Sequence, residues 1–321
     1  MLFGKYDLEK ITDPNHVLRG INRLVSFQAI ANEFKELANN NGRKGYGVDT
    51  GIKGLFLQFY YDLSDRQMEE RLRHDIAMRW FCGFTLEDET PDHTYFCRIR
   101  KALGAERIAK AFSLIREKAE GKGILRQVFS FVDSSAIKVK ETTWEERDKA
   151  LKEGEEALNN KNVENYSADK DARFGCKGKN KFWFGYKKHA SVDMGSGLIK
   201  AIAVTPANVT DQEGLKHVCP NTGMVFGDKQ YCCKKAQNTM KNNHCHSGAI
   251  MKNNMTKKNK DKDRWLSRMR APFEGTFSKL SHRARYRGWA KVQMQAFLEA
   301  IVFNVKRLLV LESPPLFSTG A

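Results

Sequence analysis

Phe129-Ser130-Phe131-Val132-Asp133-Ser134-Ser135 is a short apolar run that ends on one carboxylate and then turns polar. Such a run reads as a buried strand delivering an acidic side chain to its carboxyl end, where the rim of a core holds it rigidly. A second run, Met224-Val225-Phe226-Gly227-Asp228, ends the same way, and a third carboxylate, Glu274, lies in a basic stretch of helical character from Arg264 to Leu280. Phosphodiester cleavage needs an attacking oxygen made nucleophilic and a leaving oxygen neutralised. Two hard cations about 4 Å apart do both, and carboxylate oxygens suit them. In that arrangement Asp133 bridges two ions, and Asp228 and Glu274 each complete one site. It requires the strand of Asp133 to lie beside the strand leading to Asp228.

The composition says what such a site would act on. The chain has 321 residues, enough for two domains, and its 41% hydrophobic and 11% aromatic content supports packed cores rather than disorder. Its 55 Lys and Arg against 38 Asp and Glu leave a formal charge of +17, which favours a polyanionic partner, nucleic acid above all. The basic residues cluster around Arg268, Arg270, Arg283, Arg285 and Arg287, and Arg is the better phosphate ligand. Arg283, Arg285, Arg287, Lys291 and Arg307 are assigned to phosphates; Arg270, one helical turn before Glu274, is placed to hold that carboxylate or a phosphate. No apolar run approaches the roughly 18 residues of a membrane span, and Met1 to Lys10 lacks the order of a signal peptide. The expectation is a soluble cytoplasmic protein with no membrane partner. Its seven cysteines include no CxxC pair, so Cys232, Cys233 and Cys245, with His244 and His246, read as free thiols and ordinary histidines rather than a zinc site.

Along the chain, apolar spacing predicts helices in the first forty residues, closed by Asn39-Asn40-Asn41-Gly42. A helix over Gly51 to Phe59 follows, and Ser64 with Gln67 forms a capping-box pattern opening another. Pro91-Asp92 starts a helix to Leu103, and a further one spans Glu106 to Glu120. These helices suit either a helix-turn-helix-like DNA reader or a plain bundle. Lys138 to about Asn180 is highly charged and reads as a solvated, partly helical or mobile insertion. A hairpin follows, Phe182 to Asp193 and Leu198 to Val204, with Asp193 as a turn residue and Asp211 as a helix cap. His189 suits a structural hydrogen bond at least as well as a functional contact. Lys229 should alternate away from the site, and Trp265 and Trp289 suit core packing better than stacking on a base.

Taken in order, these segments resemble bacterial insertion-sequence transposases of the DDE type, the InsH-like group. The resemblance runs from about Gly51 to Leu311. Tyr61-Asp62-Leu63-Ser64-Asp65-Arg66 and Pro91-Asp92-His93-Thr94 are similar to the family's N-terminal helical domain, and Phe131-Val132-Asp133-Ser134 to its first Asp motif. Gly185-Tyr186-Lys187-Lys188-His189 is similar to its sheet hairpin, and Thr205-Pro206-Ala207-Asn208-Val209-Thr210-Asp211 to the segment before the second Asp. Gly227-Asp228-Lys229-Gln230-Tyr231 matches the second Asp motif, and Arg270-Ala271-Pro272-Phe273-Glu274-Gly275-Thr276-Phe277 the Glu motif. Arg285-Tyr286-Arg287-Gly288 and Asn304-Val305-Lys306-Arg307 follow as in the family. Many relatives have Gly where Gln230 stands, and a Lys where Ser281 stands; Lys279 is the nearest substitute.

The resemblance implies an α/β fold, a ribonuclease-H-like mixed sheet flanked by helices and preceded by an all-helical domain. Residues 1–123 would form the helical DNA-binding and assembly domain, 124–312 the catalytic domain with a charged insertion at about 140–180, and 313–321 a tail. Asp133, Asp228 and Glu274 would hold two Mg²⁺ ions, with Mn²⁺ as a substitute. The partners implied are double-stranded transposon ends and target DNA, bound by a homodimer or larger assembly associated with the bacterial nucleoid. The alternative is a catalytically decayed or repurposed sequence-specific DNA-binding protein.

Overall fold

The computed structural model describes residues 7–37, 45–126, 128–139, 144–154, 158–178, 180–255 and 258–312, with no account of the side chains of 144–147. The expected helix stop at Asn39 to Gly42 and the 313–321 tail lie outside the described residues. The chain divides into two compact units, Met1–Ile115 with Asn304–Ala321, and Arg116–Phe303. Residues 304–312 thus group with the N-terminal helices rather than with the sheet that precedes them.

The first unit is helical. Short helices α1 (Leu8–Ile11), α2 (Val17–Leu24) and α3 (Phe27–Asn32) precede α4 (Val48–Tyr60), α5 (Asp65–His74), α6 (Ile76–Cys82) and α7 (His93–Gly121). α4 is apolar nearly all round and buries Ile52, Leu55, Phe56 and Leu57, as a central helix must. The capping box opening α5 is formed: Gln67 N–H donates to Ser64 Oγ at 3.3 Å, and Ser64 N–H to Gln67 Oε1 at 2.9 Å. α7 breaks at Gly104 (φ 64°), so its two halves match the two helices read from the sequence. Asp92 lies outside the helix and caps it, accepting from Tyr95 N–H at 3.0 Å, rather than sitting in its first turn. Arg100 ties α7 to α5 by donating to Asp65 Oδ1 at 2.7 Å.

The second unit is built on one mixed sheet: β1 (Phe129–Lys138), β2 (Arg173–Lys177), β3 (Lys181–Asp193), β4 (Ile199–Pro206), β5 (Gly223–Gly227) and β6 (Cys245–Ala249). β4, β3 and β1 run antiparallel to their neighbours, while β1, β5 and β6 are parallel, giving the order β4-β3-β1-β5-β6 with β2 added on the far half of β3. This is the ribonuclease-H-like sheet, and it sets β1 beside β5 as the two Asp motifs require. Alternation along β1 sends Phe131 and Asp133 to one face and Val132 and Ser134 to the other. On the Phe131 face lies α12 (Lys260–Ser278), whose Phe273 and Phe277 rings stand 6.5 and 6.0 Å from that of Phe131. On the opposite face Val132 and Val225 pack with Leu215, Tyr231, Ala236 and Met240, beneath α10 (Asp211–Gly214) and α11 (Lys234–Asn242).

The charged stretch after β1 is not simply solvated. Its described part forms α8 (Trp144–Lys152), α9 (Val163–Tyr166) and β2, and Val163 and Ala172 are fully buried. Asp169 is the anchor, with Oδ1 accepting from Tyr186 O–H at 2.6 Å and Oδ2 from Gly288 N–H at 3.1 Å. Charge density hid these apolar and hydrogen-bonded contacts from a reading by composition. β3 turns at Gly185, whose φ of 145° is open only to glycine and where an added Cβ would meet Ile137 O at 2.2 Å. Gly185→Ala is therefore expected to destabilise this unit by about 3 kcal/mol or more, read as a lower urea midpoint. A last helix, α13 (Trp289–Glu312), closes the described chain. Among the described residues no helix is long and apolar enough to cross a membrane.

Candidate active site

Phe131 pairs with Phe226 in the parallel β1–β5 ladder, and Asp133 and Asp228 each come two residues later. Equal spacing beyond one paired position brings both carboxylates beside one another on the α12 face, but only Asp228 follows a strand end; Asp133 lies in the middle of β1, which runs on to Lys138 because its polar residues still pair with β3. Each is held from its own chain. Asp133 Oδ1 accepts from Ser134 N–H at 2.7 Å, and Asp228 caps the 3₁₀ turn Lys229–Tyr231 by accepting from Gln230 N–H at 2.8 Å. Gln230 is not among the positive-φ residues, so glycine's freedom is not needed at this position. Lys229 leaves the strand line because β5 ends at Gly227, and its Nζ donates to Asn253 Oδ1 at 3.3 Å.

Burial pushes the Asp133 carboxyl up to about 6, with the charges of Asp228 and Asp211 adding to it and the Ser134 N–H opposing. Burial likewise raises Asp228, with Asp211 adding and the Gln230 N–H, Arg270 and Lys177 opposing. Two half-buried carboxylates that repel one another are a donor set that a hard divalent cation relieves, so these residues fit such an ion. Among the described residues, no three His, Cys, Asp or Glu side chains stand close enough together to hold an ion. The aspartates are brought together; Glu274 is not yet with them. It projects from α12 beside Phe273, is exposed, and accepts from Arg270 Nη2 at 2.6 Å.

Asp211 and Lys177 were not singled out for this site by the sequence. Asp211 is the first residue of α10, not its cap; Thr210 is the cap, in a capping box with Glu213. That leaves Asp211 to face Lys187 Nζ at 2.9 Å and to act on both aspartates. The signal was present in the segment Thr205 to Asp211, which runs off β4 towards the site. Lys177 ends β2, inside the stretch read as solvated.

His189 is structural. It is fully buried, its Nε2 lies 2.9 Å from Thr205 Oγ1, and Gly214 packs so close that a Cβ there would stand 2.1 Å from the ring. Burial lowers its pKa to about 4, so the ring is neutral at physiological pH. Asp193 serves the β3–β4 turn, its Oδ2 accepting from both Ser196 N–H and Ser196 O–H at 2.7 Å. Neither tryptophan is a core residue: Trp265 is 50% exposed against Phe226, and Trp289 is 44% exposed with its indole N–H donating to Val204 O at 2.7 Å.

The basic loop after α12 has a fixed backbone. His282 and Ala284 bond to Lys138 of β1, Gln295 Nε2 donates to Arg283 O at 2.9 Å, and Arg285 N–H donates to Gln295 Oε1 at 2.8 Å. Arg283, Arg287, Lys279 and Lys291 are exposed. Ser281 turns its Oγ back onto Arg283 N–H at 3.1 Å. Arg307 falls in the first compact unit.

The family model described as a transposase DDE domain matches residues 125–305, more than half of the chain. A second model, described as a transposase domain (DUF772), matches residues 6–102. No solved structure matches the chain.

Proposed function

The chain belongs to the DDE transposases of insertion sequences, and we propose that it binds the inverted ends of its own element, hydrolyses the phosphodiester at each boundary and joins the freed 3′-hydroxyl to target DNA. The observation that carries this reading is the parallel register that sets Asp133 beside Asp228. Asp133, Asp228 and Glu274 would hold two Mg²⁺ ions, with Mn²⁺ as a substitute, supplying Lewis acidity to the attacking and leaving oxygens. The protein's own part is positional. β1 and β5 fix the two aspartates before substrate arrives, and the Phe131–Phe273–Phe277 contact holds α12 against the same face. Glu274, which accepts from Arg270 Nη2 at 2.6 Å, would be the third carboxylate to hold an ion, and Arg270 would then be available to a phosphate oxygen.

Arg283, Arg285, Arg287, Lys291, Lys279 and Arg307 serve the DNA backbone, with the rigid loop backbone lowering the cost of ordering its cations. Residues 1–123 recognise the element end and 124–312 carry the chemistry. Two ends must be joined, so the working form is a homodimer or larger, acting on the nucleoid in the bacterial cytoplasm. The Arg270–Glu274 pair favours one second reading, a sequence-specific DNA-binding protein that no longer cuts. A labelled end duplex incubated with and without Mg²⁺, beside Asp228→Asn, separates them. Metal-dependent cutting at the boundary, lost in the variant, with label transferred to a recipient duplex, is the expected result. Specific binding with no cutting under Mg²⁺ or Mn²⁺ replaces it with the second reading.

A further inference from the structure

We propose that the cavity between β4, α10 and the start of α13 receives one unpaired nucleotide of the DNA, its base stacked on Trp289 and a base carbonyl meeting Gln293 Nε2. The source of that nucleotide rests on the transposase reading above. The cavity has a volume of about 560 Å³, within the range of small-ligand sites, and it lies apart from the aspartates, since β3 stands between β4 and β1. Among the described strands β4 pairs with β3 alone, so its outer N–H and C=O groups need other partners. At Val204 both come from α13: Gln293 Oε1 accepts from Val204 N–H at 2.6 Å, and the Trp289 indole N–H donates to Val204 O at 2.7 Å. The backbone N–H of Trp289 donates in turn to Asp171 Oδ2 at 2.9 Å. The indole is thus fixed in the cavity wall while it remains partly exposed, which core packing would not leave it.

Gln293 is 7% exposed, and the bond to Val204 fixes its amide, because an Nε2 turned towards that N–H would set donor against donor. Nε2 is therefore the amide atom left for whatever fills the cavity, and among the described residues it has no hydrogen-bond partner. A buried donor is costly to leave unpaired, so this one calls for an acceptor. Val204, Pro206 and Val209 give the cavity apolar surface. Lys216, exposed on the 3₁₀ turn Leu215–His217, lines it without an ion pair or hydrogen bond among the described residues, whereas Lys235 is bonded to Glu213 at 2.7 Å. A flat ring that stacks, offers a carbonyl and carries one negative charge matches this set, and a nucleotide within a strand has all three. One uncommitted cation suits a single phosphodiester rather than the several charges of a free nucleoside di- or triphosphate. The nucleotide must be unpaired, since a base inside the duplex offers neither its face nor its paired carbonyl.

The test uses the full chain without divalent metal, at about 0.3 M salt to weaken binding through the backbone alone. The probes are a short oligothymidylate, an abasic oligomer of the same length, and one built on difluorotoluene, which keeps the shape of thymine and lacks its carbonyls. The wild type should bind oligothymidylate about 10-fold or more tightly than the abasic oligomer. Trp289→Ala, with its fold checked by urea unfolding, should bring that ratio close to one, since variant and abasic probe remove the same contact. Gln293→Glu keeps an acceptor for Val204 N–H and replaces the donor with an oxygen, so it should erase the preference for thymine over difluorotoluene. A wild type indifferent to bases, or a base preference that survives both variants, overturns the proposal. Thymidine monophosphate should compete poorly; competition at the oligomer's own affinity assigns the cavity to a free nucleotide and overturns its assignment to the strand. None of these assays scores cutting. A protein that cuts its element end without base preference loses the pocket alone, and one with the preference that cuts nothing loses the transposase reading alone.

Discussion

Asp133→Asn is expected to abolish DNA cleavage and, in the same molecule, to make the metal-free fold more stable. The first effect follows from its position as the carboxylate shared by both proposed ions. A fall in kcat of about 10³-fold or more is the scale for removing a group at the centre of a catalytic set. End binding should persist, because the residues proposed for the phosphates lie elsewhere.

The second effect follows from the raised pKa. Between the ordinary carboxylate value and about 6, the folded state binds a proton at Asp133 that the unfolded chain has released. Stability therefore falls as pH rises through that window, and the full penalty is present above it. The asparagine carries no such penalty, so at neutral pH it should gain about 1–2 kcal/mol in urea unfolding, and the gain should vanish towards pH 4. Mg²⁺ should raise the melting temperature of the wild type and leave Asp133→Asn nearly unmoved. A variant that loses both activity and stability at pH 7 would show that Asp133 is held as a structural carboxylate.

The other large effect is expected at Lys188, two residues from the partner of Asp133 on β3. Its side chain is fully buried and ion-paired with Glu299, and its Nζ also donates to Ser281 O at 3.2 Å. Gln295 Nε2 bonds the other Glu299 oxygen at 2.8 Å and so joins the pair to the Arg283 loop. Lys188→Ala leaves a carboxylate buried without its cation, which costs about 3–5 kcal/mol. Lys188→Met combined with Glu299→Leu removes both charges and should recover most of that loss in equilibrium unfolding. The double variant still lacks the bond to Ser281 O, so it should bind the end duplex more weakly than the wild type at equal stability. Recovery of both stability and affinity would show the loop to be held by its remaining contacts.

The fold's centre was legible because hydrophobic burial writes itself into short periods. The runs leading to Asp133 and Asp228 have buried centres, Ser130 to Val132 and Val225 to Gly227, and the pairing of Phe131 with Phe226 follows once the two are adjacent. The α5 capping box was legible for a similar reason, since both partners lie within one turn. What escaped depended on contacts between distant residues. Asp169, Tyr186 and Gly288 are far apart in the chain, and only their meeting shows that the charged stretch is anchored. The Arg270–Glu274 bond was within reach of helical spacing, but whether Glu274 faces the arginine or an ion depends on what else occupies the site.

The parallel β1–β5 ladder also bears on when the molecule becomes dangerous to its host. Its two strands are separated by roughly a hundred residues, and long-range parallel pairing comes late because loop closure must be paid first. While the ribosome is still making the hairpin and α10, the emerging chain carries Asp133 without Asp228 beside it. A peptide released before β5 carries Asp133 without Asp228, so it lacks the pair of carboxylates on which the proposed cutting depends. On the reading proposed above, interrupted synthesis would thus leave chains that could hold an element end but not break a chromosome.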